Sequence, residues 1–264
     1  MGILNVTPDS FYEKSRTFSE QEIRQRTLQM LKEGADIIDV GGYSTRPGAS
    51  DISEEEETER VCRGLKVVRE ISDSVILSVD TFRSSVAREA VSNYGCDIIN
   101  DISFARADTN MLDTVARLRV PYILTHNSDT TRSLGTLNDY TANAVVEMSR
   151  ILNKIALLGI NDVIIDPGIG FSKTLEENYR LLADLQIFEV FRRPVLVGIS
   201  RKSLITRLLG IEAADSLAAT SALNAIALTK GASILRVHDV AQAKQCVALY
   251  EATVTKNALN QPLS

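Results

Sequence analysis

Short runs of apolar and β-branched residues alternate with longer amphipathic stretches along the whole chain. The pattern predicts eight strands, at 2–6, 36–40, 75–79, 97–99, 121–125, 162–165, 194–198 and 233–236. Helical periodicity fills the intervals, near 20–33, 54–71, 83–93, 108–118, 139–158, 174–184, 212–230 and 239–255. The strands show no simple polar/apolar alternation, as expected where both faces of a parallel sheet are covered. Ser19 with Glu22, and Ser53 with Glu56, have the spacing of capping boxes. Gly34, Gly95, Gly159 and Gly231 each stand between a predicted helix and the next strand, where a left-handed cap is wanted. Eight such β/α units in a chain of 264 residues predict an α/β fold, a (β/α)8 TIM barrel. A doubly wound sheet has less support, because no Gly-x-Gly-x-x-Gly follows the first strand and no Walker-type lysine loop occurs. No linker-like stretch divides the chain, so one domain over 1–264 is expected.

A polar residue follows nearly every predicted strand. Asn5, Asp39, Asp80, Asn100, His126, Asp166 and the pair Arg236/His238 all stand at such ends. In a barrel the strand ends share one mouth, so this recurrence predicts a single polar site and hence an enzyme.

With 44% hydrophobic and 24% charged residues the chain can bury a full core, and disorder is not indicated. The net charge of −5, with no basic stripe, argues against a nucleic-acid partner. No apolar run approaches membrane-span length. The three cysteines, Cys62, Cys96 and Cys246, have neither metal-ligand nor redox spacing and read as packed thiols of a cytoplasmic protein.

The segments after the strands carry specific chemistry. Asn5 opens a loop in which its amide could meet a metal or a phosphate oxygen and Phe11 could cover a planar ligand; an ordinary turn is the other reading. Gly41–Gly48 contains Ser44, Thr45 and Arg46, a set able to cradle an anion. The following Glu54–Glu57 run is expected to open a helix and mostly face solvent. Asp80, Asn100 and Asp166 suit a ring that presents adjacent donors and acceptors, such as an amino-pyrimidinone. Asp101 is better read as a helix cap. Lys202 is placed to meet an anion or a ring carbonyl, with Ser203 capping a short helix. Arg236 and His238, two apart on an extended segment, share a side and with Arg46 suggest a diphosphate pocket. No histidine–carboxylate zinc cluster, serine elbow or cysteine–histidine pair is present. Oxygen ligands and a diphosphate suit Mg2+.

Segments 1–11, 39–48, 79–82, 100–103, 166–174, 200–203 and 236–240 resemble the motifs of the dihydropteroate synthase family, in family order and across essentially the whole chain. The resemblance implies a TIM barrel that joins 6-hydroxymethyl-7,8-dihydropterin diphosphate to 4-aminobenzoate, with sulfonamides as competitors. It implies catalytic roles for Asp80, Lys202, Arg236 and His238. Asp80, Asn100, Ile102, Asp166, Phe171 and Lys202 would hold the pterin. Asn5, Thr45, Arg46, Arg236 and His238 would hold the diphosphate, with Mg2+ at Asn5. Phe11, Thr45, Pro47, Phe171, Lys202 and Ser203 would border the aminobenzoate, and a homodimer would form through helices in 212–255.

The first loop, residues 12–17, differs from the common family form, and two segments nearer the pterin pocket depart from the pattern. His-Met-x-Gly-x-Pro is replaced by residues 126–131, which puts Asn127 where an apolar pterin-packing residue is usual. A small glycine-rich run is replaced by Phe104-Ala105-Arg106-Ala107, which is expected to add bulk beside the pterin pocket. Ser172 stands where glycine is frequent. A weakly active pterin-binding paralogue and a pterin-dependent methyltransferase barrel are the alternatives these changes leave open.

Overall fold

The computed structural model describes residues 1–7, 19–44, 51–128, 130–131 and 135–254. Eight parallel strands follow one another: β1 (Gly2–Asn5), β2 (Ile37–Gly41), β3 (Ile76–Asp80), β4 (Ile98–Asp101), β5 (Tyr122–Thr125), β6 (Val163–Asp166), β7 (Leu196–Val197) and β8 (Ile234–Leu235). The first six form one sheet in chain order, and β7 pairs with β8. Bridges from Ile165 to Val195 and from Val237 back to Gly2 join the two pieces. The Ile3 N–H donates to the Val237 carbonyl at 2.9 Å, so the last strand meets the first and the barrel closes. Closure leaves no sheet edge.

Around it lie α1 (Glu20–Lys32), α2 (Glu54–Ile71), α3 (Ser84–Tyr94), α4 (Met111–Leu118), α5 (Tyr140–Leu157), α6 (Leu175–Ala183), α7 (Ser203–Leu209), α8 (Leu217–Thr229) and α9 (Val240–Val254). The (β/α)8 architecture is the one expected, and the strand positions agree within two residues. At α1 the Ser19 box forms in both directions, whereas Ser53 accepts from the Glu56 N–H with no return bond. The return glycines Gly34, Gly95, Gly159 and Gly231 all have positive φ. Leu185–Phe191, a 3-10 turn before β7, was not foreseen, and the first residues of the predicted seventh helix are also a 3-10 turn, Ala213–Ser216. None of the described helices is long and apolar enough to cross a membrane.

Side chains from successive strand positions enter different cores, the expected two-residue period of a strand. Leu4, Ile38, Val40, Leu77, Val79, Ile99, Leu124, Ile165 and Val197 pack outward under the helices. Ile98, Ile123, Ile164 and Leu196, with Met1, Ile37 and Ile234 against them, form a separate cluster inside the barrel. One inward position further along each strand the character changes. Asp39, Asn100, Asp166 and Arg236 stand two residues after Ile37, Ile98, Ile164 and Ile234. The inner face thus changes from an apolar floor to a polar mouth. That switch places the site.

Candidate active site

Strand register sets one row of the site. Asn5 pairs with Gly41, Gly41 with Asp80, and Asp80 with Asn100. A Cβ at Gly41 would lie 3.5 Å from Asn5 Oδ1 and 3.4 Å from the Asp80 Cβ. The missing side chain therefore opens a gap between the amide and the carboxylate.

Asp39, one layer deeper on β2, is fully buried and organises this half. Its Oδ2 accepts from Arg236 Nε at 2.6 Å and from Asn100 Nδ2 at 3.0 Å. Arg236 Nη2 donates to Asp80 Oδ2 at 2.5 Å. Asp39 Oδ1 is buried with no partner among the described residues. Sequence reasoning placed Asp39 at a strand end but gave it no role; its position two residues before Gly41 on the inner face was the available signal. Burial pushes the Asp80 carboxyl up to about 7; Arg236 opposes this, and the nearby Asp39, Glu57 and Asp101 add to it. Burial by itself would lower the Arg236 guanidinium, but Asp39 and Asp80 hold it above its usual value.

The other half is built on β6 and β7. Asp166 Oδ1 accepts from the Gly168 N–H at 2.8 Å, and Oδ2 lies 3.5 Å from Thr125 Oγ1. Burial raises the Asp166 pKa against the pull of Lys202. Lys202 Nζ donates to the Ile169 carbonyl at 2.5 Å and sits 4.2 Å from the centre of the Phe171 ring, a cation–π contact. Its pKa falls to about 8, because burial outweighs the attraction of Asp166 and Asp80. Gly170 lets the lysine stem pass, since a Cβ there would be 2.5 Å from Lys202 Cδ. Gly198 leaves space between Lys202 and Arg236. Ile102, two residues after Asn100, is buried and belongs to neither apolar cluster.

Ser200 Oγ bonds His238 Nδ1 at 3.0 Å and accepts from the His238 backbone N–H at 3.2 Å, which fixes the ring at the rim. Arg201, in the left-handed region at φ 56°, forks onto Asp239 at 2.9 and 2.8 Å and ties the β7 and β8 loops together. Ser203 is exposed and does not cap α7; Lys202 holds the cap position, with no side-chain bond. Asn5, Asp80, Asn100, Ile102, Asp166, Phe171, Lys202, Arg236 and His238 all lie at the carboxyl end of the barrel. Phe11, Thr45, Arg46 and Pro47 fall outside the described residues.

Several strand-end polar groups turn away from the mouth, and one rule explains them. Asp80 points in, so Thr81 points out. Asn100 points in, so Asp101 points out; Thr125 faces Asp166, so His126 points out. Thr81 Oγ1 donates to Glu57 Oε1 at 2.6 Å, and Arg83 Nη1 to Glu57 Oε2 at 2.7 Å. Glu57 is therefore buried, unlike the exposed Glu54, Glu55 and Glu56. Asp101 caps no helix: it accepts from Tyr122 Oη and from the Ser103 N–H, each at 2.7 Å. His126 is fully buried, with Nε2 3.2 Å from Glu147 on α5 and its ring edge-on to Phe104 at 5.1 Å.

The two departing segments belong to this outer layer. Phe104 is fully buried in the outer core, so its bulk does not enter the pocket. Phe104 and Ala105 keep positive φ, 62° and 54°, although neither is glycine. Arg106 lies 4.9 Å over the Phe104 ring and donates to Ser128 Oγ at 3.2 Å. Asn127 Nδ2 donates to the Ile102 carbonyl at 3.0 Å, linking the β5 and β4 loops behind the cavity wall. Ser172 takes the left-handed conformation, φ 46°, that a glycine adopts easily.

The mouth thus joins carboxylates and an amide with the buried cations Arg236 and Lys202, and carries His238 at its rim. Among the described residues no three acidic, histidine or cysteine side chains gather as a metal cluster. The Asn5 carboxamide has no side-chain partner among them, and it fits a hard cation that takes most of its ligands from phosphate oxygens.

The pterin binding enzyme family pattern matches residues 1–238. The chain is similar to the dihydropteroate synthase of Haemophilus influenzae, 40% identical over 259 residues that cover 96% of this chain and 93% of the relative. Its fold resembles the Clostridium difficile dihydropteroate synthase solved with pteroic acid, at TM-score 0.87 and 32% identity over 97% of this chain and 96% of the other. It resembles equally the Xanthomonas albilineans dihydropteroate synthase solved with 4-aminobenzoic acid, at TM-score 0.87 and 36% identity, covering 96% and 92%. Conserved length, shared fold and a polar mouth on the inner strand positions lead to one conclusion: this chain belongs to the pterin-binding enzyme family.

Proposed function

We propose that the chain condenses 6-hydroxymethyl-7,8-dihydropterin diphosphate with 4-aminobenzoate, giving 7,8-dihydropteroate and diphosphate. The observation that carries this reading is the joined set Asp39–Arg236–Asp80 and Asn100 facing Asp166 and Lys202 inside one barrel mouth. Asp80 and Asp166 accept from ring N–H and amine groups, Asn100 offers both polarities, and Lys202 donates to the ring carbonyl. Ile102 and Phe171 close the apolar sides. Arg236 has its Nε and Nη2 committed, which leaves Nη1 for the diphosphate, a role the family resemblance also gives to Asn5, Thr45, Arg46 and His238.

As the bond from the pterin methylene to the diphosphate breaks, positive charge grows on the methylene and spreads into the ring. Asp80 stabilises that charge. Asn5 would hold Mg2+, which would supply charge neutralisation for the departing diphosphate. The aromatic amine, whose border the family resemblance assigns to Phe11, Thr45, Pro47, Phe171, Lys202 and Ser203, attacks as a neutral nucleophile and then releases one proton to solvent. Sulfonamides compete there. The enzyme works in the cytoplasm, in keeping with three free cysteines. It acts as a homodimer through helices in 212–255, where Ile226, Leu249 and Val254 are exposed.

A diphosphate-release assay with the pterin diphosphate, Mg2+ and 4-aminobenzoate tests the reaction. Release that depends on aminobenzoate and is lost in Asp80→Ala and Lys202→Ala is expected. Release that ignores aminobenzoate would mean hydrolysis, and tight pterin binding without release would mean a paralogue that does not turn over.

A further inference from the structure

The β6 loop contains a second lysine that the ligand chemistry above does not use. Lys173 Nζ donates to three backbone carbonyls: His126 at 2.9 Å, Gly168 at 2.8 Å and Phe171 at 3.0 Å. Two of these oxygens come from the β6 loop and one from the end of β5. Three carbonyl dipoles with their negative ends together repel one another unless a positive charge sits between them. The packing is also close. Gly168 has φ 72°, and a Cβ there would lie 1.9 Å from the His126 oxygen, so no other residue lets the two loops approach this far.

The same loop carries the ligand-facing groups. Asp166 Oδ1 accepts from the Gly168 N–H, Phe171 N–H donates to the Gly168 carbonyl at 3.1 Å, and the Ile169 carbonyl takes Lys202. Two lysines therefore divide the carbonyls of one turn. Lys202 holds the oxygen on the ligand side, and Lys173 holds those behind it. The Phe171 peptide, and through it the ring over Lys202 Nζ, is set by the rear lysine.

We propose that Lys173 is a positioning residue for pterin binding, its ammonium acting as a built-in cation that fixes the β5 and β6 loops and so seats Phe171 against Lys202. This rests on the pterin reading above. Loss of the charge lets the turn relax, and small displacements of groups that contact the ligand are costly, up to about a hundredfold.

The test is Lys173→Ala with n-propylammonium chloride, which replaces the atoms removed. KM for the pterin diphosphate is expected to rise about ten- to a hundredfold with a much smaller change in kcat. Added n-propylammonium should lower it again with saturation, while tetramethylammonium at equal ionic strength should not. Lys173→Met, which fills the channel with an uncharged chain, should show the loss and no recovery. An unchanged KM in Lys173→Ala, or a loss that n-propylammonium leaves untouched, overturns the proposal. Should Lys173→Ala fail to fold, the titration is read as refolding yield and Tm, and recovery that ignores the amine overturns it equally. Wild-type turnover in the same assay tests the reaction itself, and the amine-dependent Tm is readable whether or not turnover occurs.

Discussion

Two carboxylates, one on each side of the barrel wall, show how the same chain treats acid groups differently. Asp80, on the inner side, has Arg236 as its one side-chain hydrogen-bond partner among the described residues, and burial pushes it up to about 7. Glu147, on the outer side, accepts from Ser128 at 3.0 Å, Thr130 at 2.5 Å and Thr131, and meets His126 at 3.2 Å. Burial alone would raise Glu147, but these four groups overrule it and hold it well below the usual carboxylate range. The structural acid is saturated. The acid at the mouth keeps lone pairs for a ligand, and the fold bears the cost of its desolvation.

The contrast breaks most sharply at Asp80. Asp80→Asn keeps an oxygen for Arg236 but removes the negative charge that the reacting pterin needs. Diphosphate release is expected to fall on the order of 10²- to 10³-fold. Stability should move the other way at neutral pH. A carboxyl whose folded pKa lies above its unfolded one binds its proton more tightly in the folded state, so it costs stability as pH rises from 3.8 to about 7. The variant escapes that cost, and its Tm at pH 7.5 should exceed that of the wild type by a few degrees. A Tm lowered at this pH would show that the pair with Arg236 outweighs the desolvation.

Glu147→Ala attacks the opposite member. It strands three hydroxyls and the His126 ring, and is expected to destabilise the fold by about 3 kcal/mol in urea titration. The sign with pH is reversed relative to Asp80. A depressed pKa contributes stability that is present above 4.5 and is lost as pH falls below it. Acid unfolding of Glu147→Gln should therefore be shallower than that of the wild type. Parallel acid limbs would mean that Glu147 is no tighter than an ordinary glutamate.

How much of this was legible in the sequence follows from the same wall. The barrel, its strands and most inner polar residues could be read because a strand end followed by Asp, Asn or Arg is a local signal. The orientation of neighbours was harder. Asn100–Asp101 and Thr125–His126 are adjacent polar pairs, and the phase that sends one inward and the other outward depends on where the inner apolar layer lies. Ile98 and Ile123 carried that phase, two residues before Asn100 and Thr125. What could not be read was the pairing over distance: Glu57 with Thr81, Glu147 with Ser128, and Lys173 with the His126 carbonyl. Glu57 looked like one more solvated acid in a run of four. Only the arrival of β3 beside it makes burial acceptable.

A smaller effect tests whether Asp80 and Lys202 act as an ionised pair of ligand contacts. Asp80 must be charged to accept from the ring, so kcat/KM should rise as pH passes through about 7. Lys202 must be charged to donate, so the rate should fall again as pH passes about 8. A narrow bell results, with each limb changing about tenfold per pH unit at its far end. Asp80→Asn should remove the acid limb and Lys202→Met the alkaline one, each on a reduced rate. A flat profile between pH 6 and pH 9 would require both groups to titrate elsewhere in the free enzyme.

The smallest expected effect concerns Asn127. Its amide holds the Ile102 carbonyl at 3.0 Å, behind the wall rather than on the ligand. Asn127→Met restores the apolar residue that the family resemblance leads one to expect, while giving up that bond. A hydrogen bond of this kind is worth about 1 kcal/mol, and the longer methionine recovers part of it by packing. KM for the pterin diphosphate should therefore change by less than about fivefold, and kcat hardly at all. Arg106, Phe104 and Glu147 already fix the loops on the outer side, so the substitution has little left to move. A change as large as that of Asp80→Asn would place Asn127 on the ligand itself, and the division between the two sides of the wall would fail at this position.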